Sequence, residues 1–216
     1  MEMHVVTAAN RDLYKRELIE FFQARYRIYV HEKHWREDDG SGFEIDQFDT
    51  DAATYLIGIE DGRVICGTRL LSTTQPHMAD QVFPHLSNLT GIVRSPQIAE
   101  WTRAFIIQER RENGIGPIKG QICAATMQFC LQEGIDQVGG IQDLYWMRLW
   151  KRLGWKVNPA GTPAKVAGRW CVVAYMQVSE AARNNAMVST GIDCHGLVQH
   201  GDYQPFVTET ERRIAI

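Results

Sequence analysis

No run of apolar residues in this chain approaches the roughly 18 that a membrane-spanning helix needs, so the sequence offers no transmembrane segment and no membrane partner. The first residues, Met1-Glu2-Met3-His4-Val5, lack a basic stretch followed by an apolar one and do not read as a secretory signal. Positive charge is not in excess: 23 bases against 26 acids give a formal net charge of −3. A nucleic-acid surface is normally basic, so no nucleic-acid partner is expected. Cysteine is scarce and odd in number. Cys66, Cys123, Cys130, Cys171 and Cys194 show no paired spacing, which excludes a disulfide framework and reads as reduced thiols of a cytoplasmic protein. There is no internal repeat and no linker rich in proline and glycine. The 216 residues, 44% hydrophobic, therefore suit one domain over 1–216, with a weakly patterned tail from about Gly191 expected to be only partly ordered.

The apolar pattern alternates between helical and strand periods. Residues from Asn10 to Val30 read as a helix capped by Asn10 or Asp12. Thr54 to Glu60 and Arg63 to Ser72 read as strands joined by the hairpin turn Asp61-Gly62. A long connection follows, with a short helix around Met78 to Leu86, and then a strand from Ile98 to Ile107. A helix over Gly116 to Glu133, a strand over Ile135 to Ile141 and a helix over Gln142 to Leu153 come next. Strands near Trp155 to Asn158 and Arg169 to Val178 precede a short helix that Ser179 caps. This order implies an α/β (α+β) sandwich of one mixed sheet with helices on its faces.

Charges in apolar company carry the functional information. Seven acids and no base lie between Glu37 and Asp51, and Asp46 and Asp49 alternate with Ile45 and Phe48. Carboxylates pinned against a core need cationic partners. Arg25 falls on the apolar stripe of the first helix and Arg69 on a strand covered on both faces. Glu100 and Arg103 are three apart on another strand, a spacing that puts them on opposite faces unless a bulge intervenes. Arg25, Arg69 and Arg103 with Asp46, Asp49 and Glu100 are expected to form one buried network. Its use is either to fix the loop or to grip a small zwitterion. In the second case Arg meets a carboxylate, an acid meets an amine and an aromatic face such as Trp35 meets a sulfonium. His31 and His34 match no metal-ligand spacing, so no metal is expected. Asp193-Cys194-His195 lacks the acid geometry that a cysteine nucleophile requires.

Arg25-x3-Tyr29-x5-Trp35, Glu44-x-Asp46-x2-Asp49, Arg69 and Glu100-x2-Arg103 together resemble the acyl-homoserine lactone synthases, which make quorum-sensing autoinducers. Arg69-Leu70-Leu71-Ser72-Thr73-Thr74 and Val82-Phe83-Pro84 share the likeness, which runs from about residue 20 to 107 and is diffuse beyond 110. Tyr29 stands where the family usually has Phe, and Trp101-Thr102 where many members have Leu-Ser. The resemblance implies a fold similar to the Gcn5-related acetyltransferases, with a cleft where two strands splay. It also implies S-adenosylmethionine and an acyl thioester as substrates, with no further cofactor. Glu100 is then the expected general base. Arg25 and Arg103 would hold the substrate carboxylate, and Asp46 and Asp49 the amine or the arginines. Tyr29, Trp35 and Phe105 would contact the rest of the S-adenosylmethionine, with Arg69 behind them.

By the same resemblance, Trp101, Thr102, Gln142, Tyr145 and Trp146 line the acyl pocket. Their bulk favours a short branched or aromatic acyl group. Arg111, Gly114 and Gly116 look like an acyl-coenzyme A phosphate loop, whereas Arg148, Lys151 and Arg152 form a basic patch suited to an acidic acyl carrier protein. Coenzyme A is the favoured donor. Two rival readings remain: a Gcn5-related N-acetyltransferase acting on an ordinary amine, and a binding module without turnover. Nothing in the pattern specifies an oligomeric state.

Overall fold

The computed structural model describes residues 1–192 and 196–214; Asp193-Cys194-His195 lies outside the described residues. The chain builds one nine-stranded mixed sheet. β1 (Glu2–Val6) leads through a short 3-10 turn into α1 (Lys15–Tyr26), which runs on as a π-turn over Arg27–Glu32. β2 (Thr54–Glu60), β3 (Arg63–Ser72) and β4 (Ile98–Ile106) form an antiparallel meander, with the one-turn α2 (Met78–Gln81) between the last two. After α3 (Pro117–Gln132) come β5 (Gln137–Asp143), α4 (Leu144–Arg152), β6 (Val157–Pro159), β7 (Ala164–Val166) and β8 (Arg169–Gln177). The chain closes with α5 (Glu180–Thr190), β9 (Leu197–Val198) and α6 (Glu209–Ile214). Sheet order is β6-β8-β5-β4-β3-β2-β1-β9, with β7 beside β8.

The hairpin forms because Asp61 and Gly62 both take positive φ, 49° and 70°, the twist a two-residue turn between right-twisted strands requires. The cap expected of Asn10 does not form: its Oδ1 accepts the Thr7 N–H at 2.8 Å and its amide holds the Val5 and His200 carbonyls. That second bond ties the C-terminal segment to β1. The tail beyond Gly191 is accordingly more structured than expected among its described residues, with β9 paired to β1 and α6 docked through Arg212 on the Glu133 carbonyl. Gln142 lies within β5 instead of starting a helix, because Asp143 caps α4 by accepting the Tyr145 N–H.

Two larger cores flank the sheet, beside a smaller one of Ala79, Leu86, Ala160, Val173 and Tyr175. On one face α3 and α5 cover Met3, Val5, Leu56, Cys66, Leu70, Ala99 and Val138. On the other, α1 and its π-turn lay Phe21, Ala24 and Ile28 on Ile57, Ile65, Leu71 and Phe105. Phe21 sits so close over Gly67 that a Cβ there would meet its ring at 2.5 Å. Cys66, Cys123 and Cys130 are buried and unpaired. Among the described residues no helix is long and apolar enough to cross a membrane.

Two irregularities shape the centre of the sheet. Gly67 pairs with Phe105 but Arg69 pairs with Thr102, so Thr68 opposes both Arg103 and Ala104. This is the bulge that the Glu100/Arg103 spacing required, and Arg103 takes a φ of 55° to make it. The parallel strands β4 and β5 pair only over Ile98–Gln137, Ala99–Val138 and Glu100–Gly139. Beyond that point both continue without pairing to each other, which opens a V-shaped cleft.

Candidate active site

The acidic segment folds over the α1 face and delivers its carboxylates to three buried guanidiniums. Arg25 donates Nε to Glu44 at 2.6 Å and both Nη groups to Asp49 at 2.8 and 2.9 Å. Arg69 donates Nε to the Thr102 hydroxyl at 3.1 Å and its Nη groups to Asp46 at 2.6 and 3.1 Å. Arg103 donates to Glu44 at 3.0 Å and to Asp46 at 2.9 Å. Three cations thus face three anions, and the cluster is neutral as a whole. The third carboxylate is Glu44, not Glu100 as expected: the sequence shows five acids in the segment besides Asp46 and Asp49 but not which one is turned inward. Glu44 was visible in the spacing Glu44-x-Asp46-x2-Asp49 yet carried no expected role.

Ionisation is locked by these partners. Burial alone would raise the Asp49 carboxyl, but the bonds from Arg25 and the charge of Arg69 hold it far below the usual carboxylate range. Burial likewise disfavours the Arg25 cation, and Asp49 and Glu44 more than offset that. Asp49 further accepts from the Tyr55 hydroxyl at 3.0 Å and from the Asp46 N–H at 2.8 Å.

A count of donors separates the three arginines. Arg25 and Arg69 have no exposed side-chain surface and every terminal nitrogen meets a carboxylate. They have nothing left with which to grip a substrate, so the expected role of Arg25 as a carboxylate clamp does not fit. Asp49 is equally saturated, by Arg25, Arg69, the Tyr55 hydroxyl and the Asp46 N–H, the geometry of the arginine-holding alternative. Arg103 is different. Its side chain is 9% exposed, and Nη1 meets only the Met78 Sδ at 3.7 Å. A thioether is a weak acceptor, so two strong donors stand unspent at the edge of the cluster.

The π-turn at the end of α1 places the aromatic wall. It directs the Trp35 N–H onto the Tyr29 carbonyl at 2.9 Å and stacks the two rings with centroids 5.2 Å apart. The Tyr29 hydroxyl donates to the Ala104 carbonyl, which the bulge leaves free, at 2.8 Å. Its ring lies 5.1 Å from the Arg103 guanidinium carbon. Trp35 is half-exposed beside an open depression of about 600 Å³ that His34, Arg36 and Glu37 help to line. Phe105, expected here, is instead core: its ring packs 5.2 Å from Phe21.

Glu100 sits at the apex of the V, fully buried. Its two oxygens accept the N–H groups of Met78 and Ala79 at 2.8 and 2.7 Å, the first free donors of α2. Burial raises its pKa above the ordinary carboxylate value, against the N–H groups of Ala79 and Met78 and the nearby His77 and Arg69. Gly140 is required opposite it: with φ 136°, a Cβ there would stand 2.9 Å from Glu100 Cγ. Met78 therefore touches both parts of the site, holding Glu100 with its backbone and covering Arg103 with its side chain.

The other wall of the cleft is tryptophan. Trp101 donates Nε1 to Thr68 at 2.6 Å and leans on Trp150 at 5.6 Å. Trp146 and Trp155 both stack on Trp150, at 5.5 and 4.8 Å, and Trp150 donates its indole N–H to Gln142. Trp150 and Trp155 were not expected in this wall; they read as ordinary core. Two expected members fall elsewhere: Thr102 belongs to the Arg69 cluster, and Tyr145 is exposed. Gly116 caps α3, where the Glu112 side chain packs against it, and Gly114 is held by Lys119. Arg111 turns away from that helix start to Glu32 at 2.6 Å. Arg148, Lys151 and Arg152 are exposed on α4.

Residues 10–186 match the family model described as autoinducer synthase. The isovaleryl-homoserine lactone synthase of Bradyrhizobium diazoefficiens is 38% identical over 179 residues, covering 82% of this chain and 80% of that protein. The chain belongs to the autoinducer synthase family. Acyl transfer that yields an acyl-homoserine lactone is accordingly the reaction of this synthase. Among solved structures, BjaI, a CoA-dependent acyl-homoserine lactone synthase, superposes with a TM-score of 0.86 at 34% identity over 95% of this chain and 96% of its own. It has been solved with SAM and isopentyl-CoA, and with MTA. An N-acetyltransferase from Lactobacillus plantarum, at 17% identity and TM-score 0.55 over 83% of this chain and 100% of its own, shares the fold of the synthase alone.

Proposed function

We propose that the synthase joins S-adenosylmethionine to a short branched acyl group carried on coenzyme A. The observation that carries this reading is the half-spent guanidinium of Arg103, which borders the Tyr29–Trp35 rings on one side and α2 with Glu100 on the other. The substrate carboxylate takes the Arg103 Nη1 donors in place of the Met78 sulfur. The sulfonium lies against the rings and the adenosine extends into the depression beside Trp35. Arg25, Arg69, Glu44, Asp46 and Asp49 hold Arg103 in position and make no contact with substrate.

The α-amine, with a pKa of about 8, is mostly protonated at neutral pH and cannot attack. Glu100 accepts its proton, directly or through a water, once Met78 yields. The amine then adds to the thioester carbonyl, the carbon–sulfur bond to coenzyme A breaks, and the second amine proton goes to the departing thiolate, giving the amide and free thiol. The substrate carboxylate next attacks the γ-carbon, the carbon–sulfur bond breaks with its electrons on sulfur, and neutral methylthioadenosine departs. That closure needs positioning more than acid catalysis, because a sulfonium is already a good leaving group. The tryptophan wall sets the acyl length, in keeping with the isovaleryl and isopentyl groups named for the two similar proteins.

Purified protein given S-adenosylmethionine and isovaleryl-CoA should release methylthioadenosine and free thiol in equal amounts, with the lactone seen by mass spectrometry. An amine acetyltransferase would release thiol without methylthioadenosine. Trp146→Ala should remove one face of the stack on Trp150 and shift the kcat/KM ratio of straight octanoyl-CoA to isovaleryl-CoA upward by roughly tenfold, the worth of one or two methylenes in an apolar pocket. An unchanged ratio in a panel of thioesters contradicts the assignment of that wall. The triple variant Arg148→Ala, Lys151→Ala, Arg152→Ala should keep its rate with acyl-CoA. A larger loss than that with an acyl carrier protein donor would move the reading to the carrier.

A further inference from the structure

Lys33 has no part in the network or the tryptophan wall. It follows the π-turn, with its N–H on the Ile28 carbonyl at 2.9 Å, and its side chain folds back over the aromatic pair. Nζ lies 4.7 Å from the centre of the Tyr29 ring and 4.5 Å from that of Trp35. Tyr29 therefore meets two cations at once, Lys33 and Arg103. The neighbouring carboxylate, Glu32, is committed to Arg111, and Arg169 on the opposite lip of the cleft is committed to Asp143. Although Lys33 as a residue reaches solvent, its head is held against the rings among guanidiniums. Its pKa is pushed down to about 8, first by that low-polarity setting and then by Arg169, Arg111 and Arg103, with Glu32 opposing.

An ammonium and a sulfonium are both onium ions that an aromatic face attracts through its quadrupole. One face cannot serve both at once. We propose that Lys33 is an internal competitor for the sulfonium seat, its ammonium occupying the Tyr29–Trp35 rings until S-adenosylmethionine displaces it. The inference rests on the reading that S-adenosylmethionine binds between Trp35 and Arg103. Its consequence lies at the end of the cycle. When the carbon–sulfur bond breaks, the sulfonium becomes a neutral thioether that no longer competes for the rings. The ammonium then reclaims them and helps to expel methylthioadenosine. Lys33 is thus a positioning residue that keeps the substrate site from being filled by its own product.

The test is titration calorimetry of S-adenosylmethionine and of methylthioadenosine with the wild-type chain, Lys33→Met, Lys33→Arg, Trp35→Leu and the Lys33→Met/Trp35→Leu pair. With the seat emptied, Lys33→Met should bind S-adenosylmethionine about tenfold more tightly, the scale of a partly desolvated cation–π contact. Methylthioadenosine should inhibit Lys33→Met more strongly than wild type. Lys33→Arg keeps a cation on the rings and should stay within twofold of wild type, on the same scale of contact. In the Trp35→Leu background the gain from Lys33→Met should shrink, because one of the two contested rings is gone. Unchanged or weaker binding by Lys33→Met overturns the proposal, as does a Lys33→Arg variant as tight as Lys33→Met. Wild-type chain that binds no S-adenosylmethionine would instead overturn the reading of the site on which the proposal stands.

Discussion

Glu100→Gln should lower kcat by about two to four orders of magnitude, the range of a positioned general base, while S-adenosylmethionine still binds. The carboxylate touches no arginine, so its loss leaves the three-by-three ionic cluster intact. What is lost is a buried acid at the apex of the cleft that no guanidinium contacts. The pH dependence follows from its surroundings. Burial raises the Glu100 pKa, and a base must be ionised to accept a proton. The wild-type kcat/KM should therefore climb with pH through a value above the ordinary carboxylate range, and that acidic limb should be absent from the residual activity of the Gln variant. For stability the sign is opposite. A carboxyl whose pKa is raised on folding stabilises the native state below its unfolded pKa, and that contribution is lost as pH rises through the folded value. Stopped-assay rates between pH 5 and 9, beside thermal midpoints over the same span, separate the two effects. A Gln variant with near-normal kcat removes Glu100 from the chemistry.

Asp49→Asn should cost about 3–5 kcal/mol of folding stability, the penalty for leaving buried charge without its partner. Asp49 faces two guanidiniums, Arg25 at 2.8 Å and Arg69 at 2.8 Å, both without exposed side-chain surface. The amide would take away the counter-charge of both and turn an NH2 group toward donors. Because the folded pKa of Asp49 lies well below its unfolded one, its stabilisation is present above about pH 4 and is lost as pH falls through the folded value. The gap between wild type and Asp49→Asn in urea unfolding should thus be widest near neutrality and narrow at pH 3. A variant as stable as wild type at pH 7 would mean that the cluster does not depend on this carboxylate.

The hairpin and both edges of β3 were legible because Asp61-Gly62 marks the turn and the strand runs to Ser72. The bulge could be anticipated too, since Glu100 and Arg103 make sense on one strand only if a residue is inserted. Partner choice was less legible. Period and burial show that Arg25, Arg69 and Arg103 need anions, but not that Glu44 turns inward while Glu100 goes to the free N–H groups of α2. Phe105 misled because an aromatic residue on a strand looks alike whether it faces substrate or Phe21. Tyr145 and Trp146 are adjacent on one helix, and a shift of one position sends the first to solvent and the second onto Trp150. β1 is short and buried without alternation and β9 is only two half-buried residues, so only their pairing to β2 and to each other defines them. Lys33 reads in the sequence as a solvated lysine at a helix end; its contact with two rings depends on the π-turn, which no local pattern announces.

Five members of the ionic cluster spend their charged groups on each other, and Arg103 alone of the three arginines keeps two Nη1 donors that meet no carboxylate. The most direct probe of this is the affinity of S-adenosylmethionine against its decarboxylated analogue, measured by calorimetry with wild type and with Arg103→Gln. Wild type should prefer the carboxylate-bearing ligand by about tenfold or more, the worth of one charge-assisted contact. Arg103→Gln should bind the two alike, whereas a Gln variant that keeps the full preference would show that the carboxylate is held by some other group.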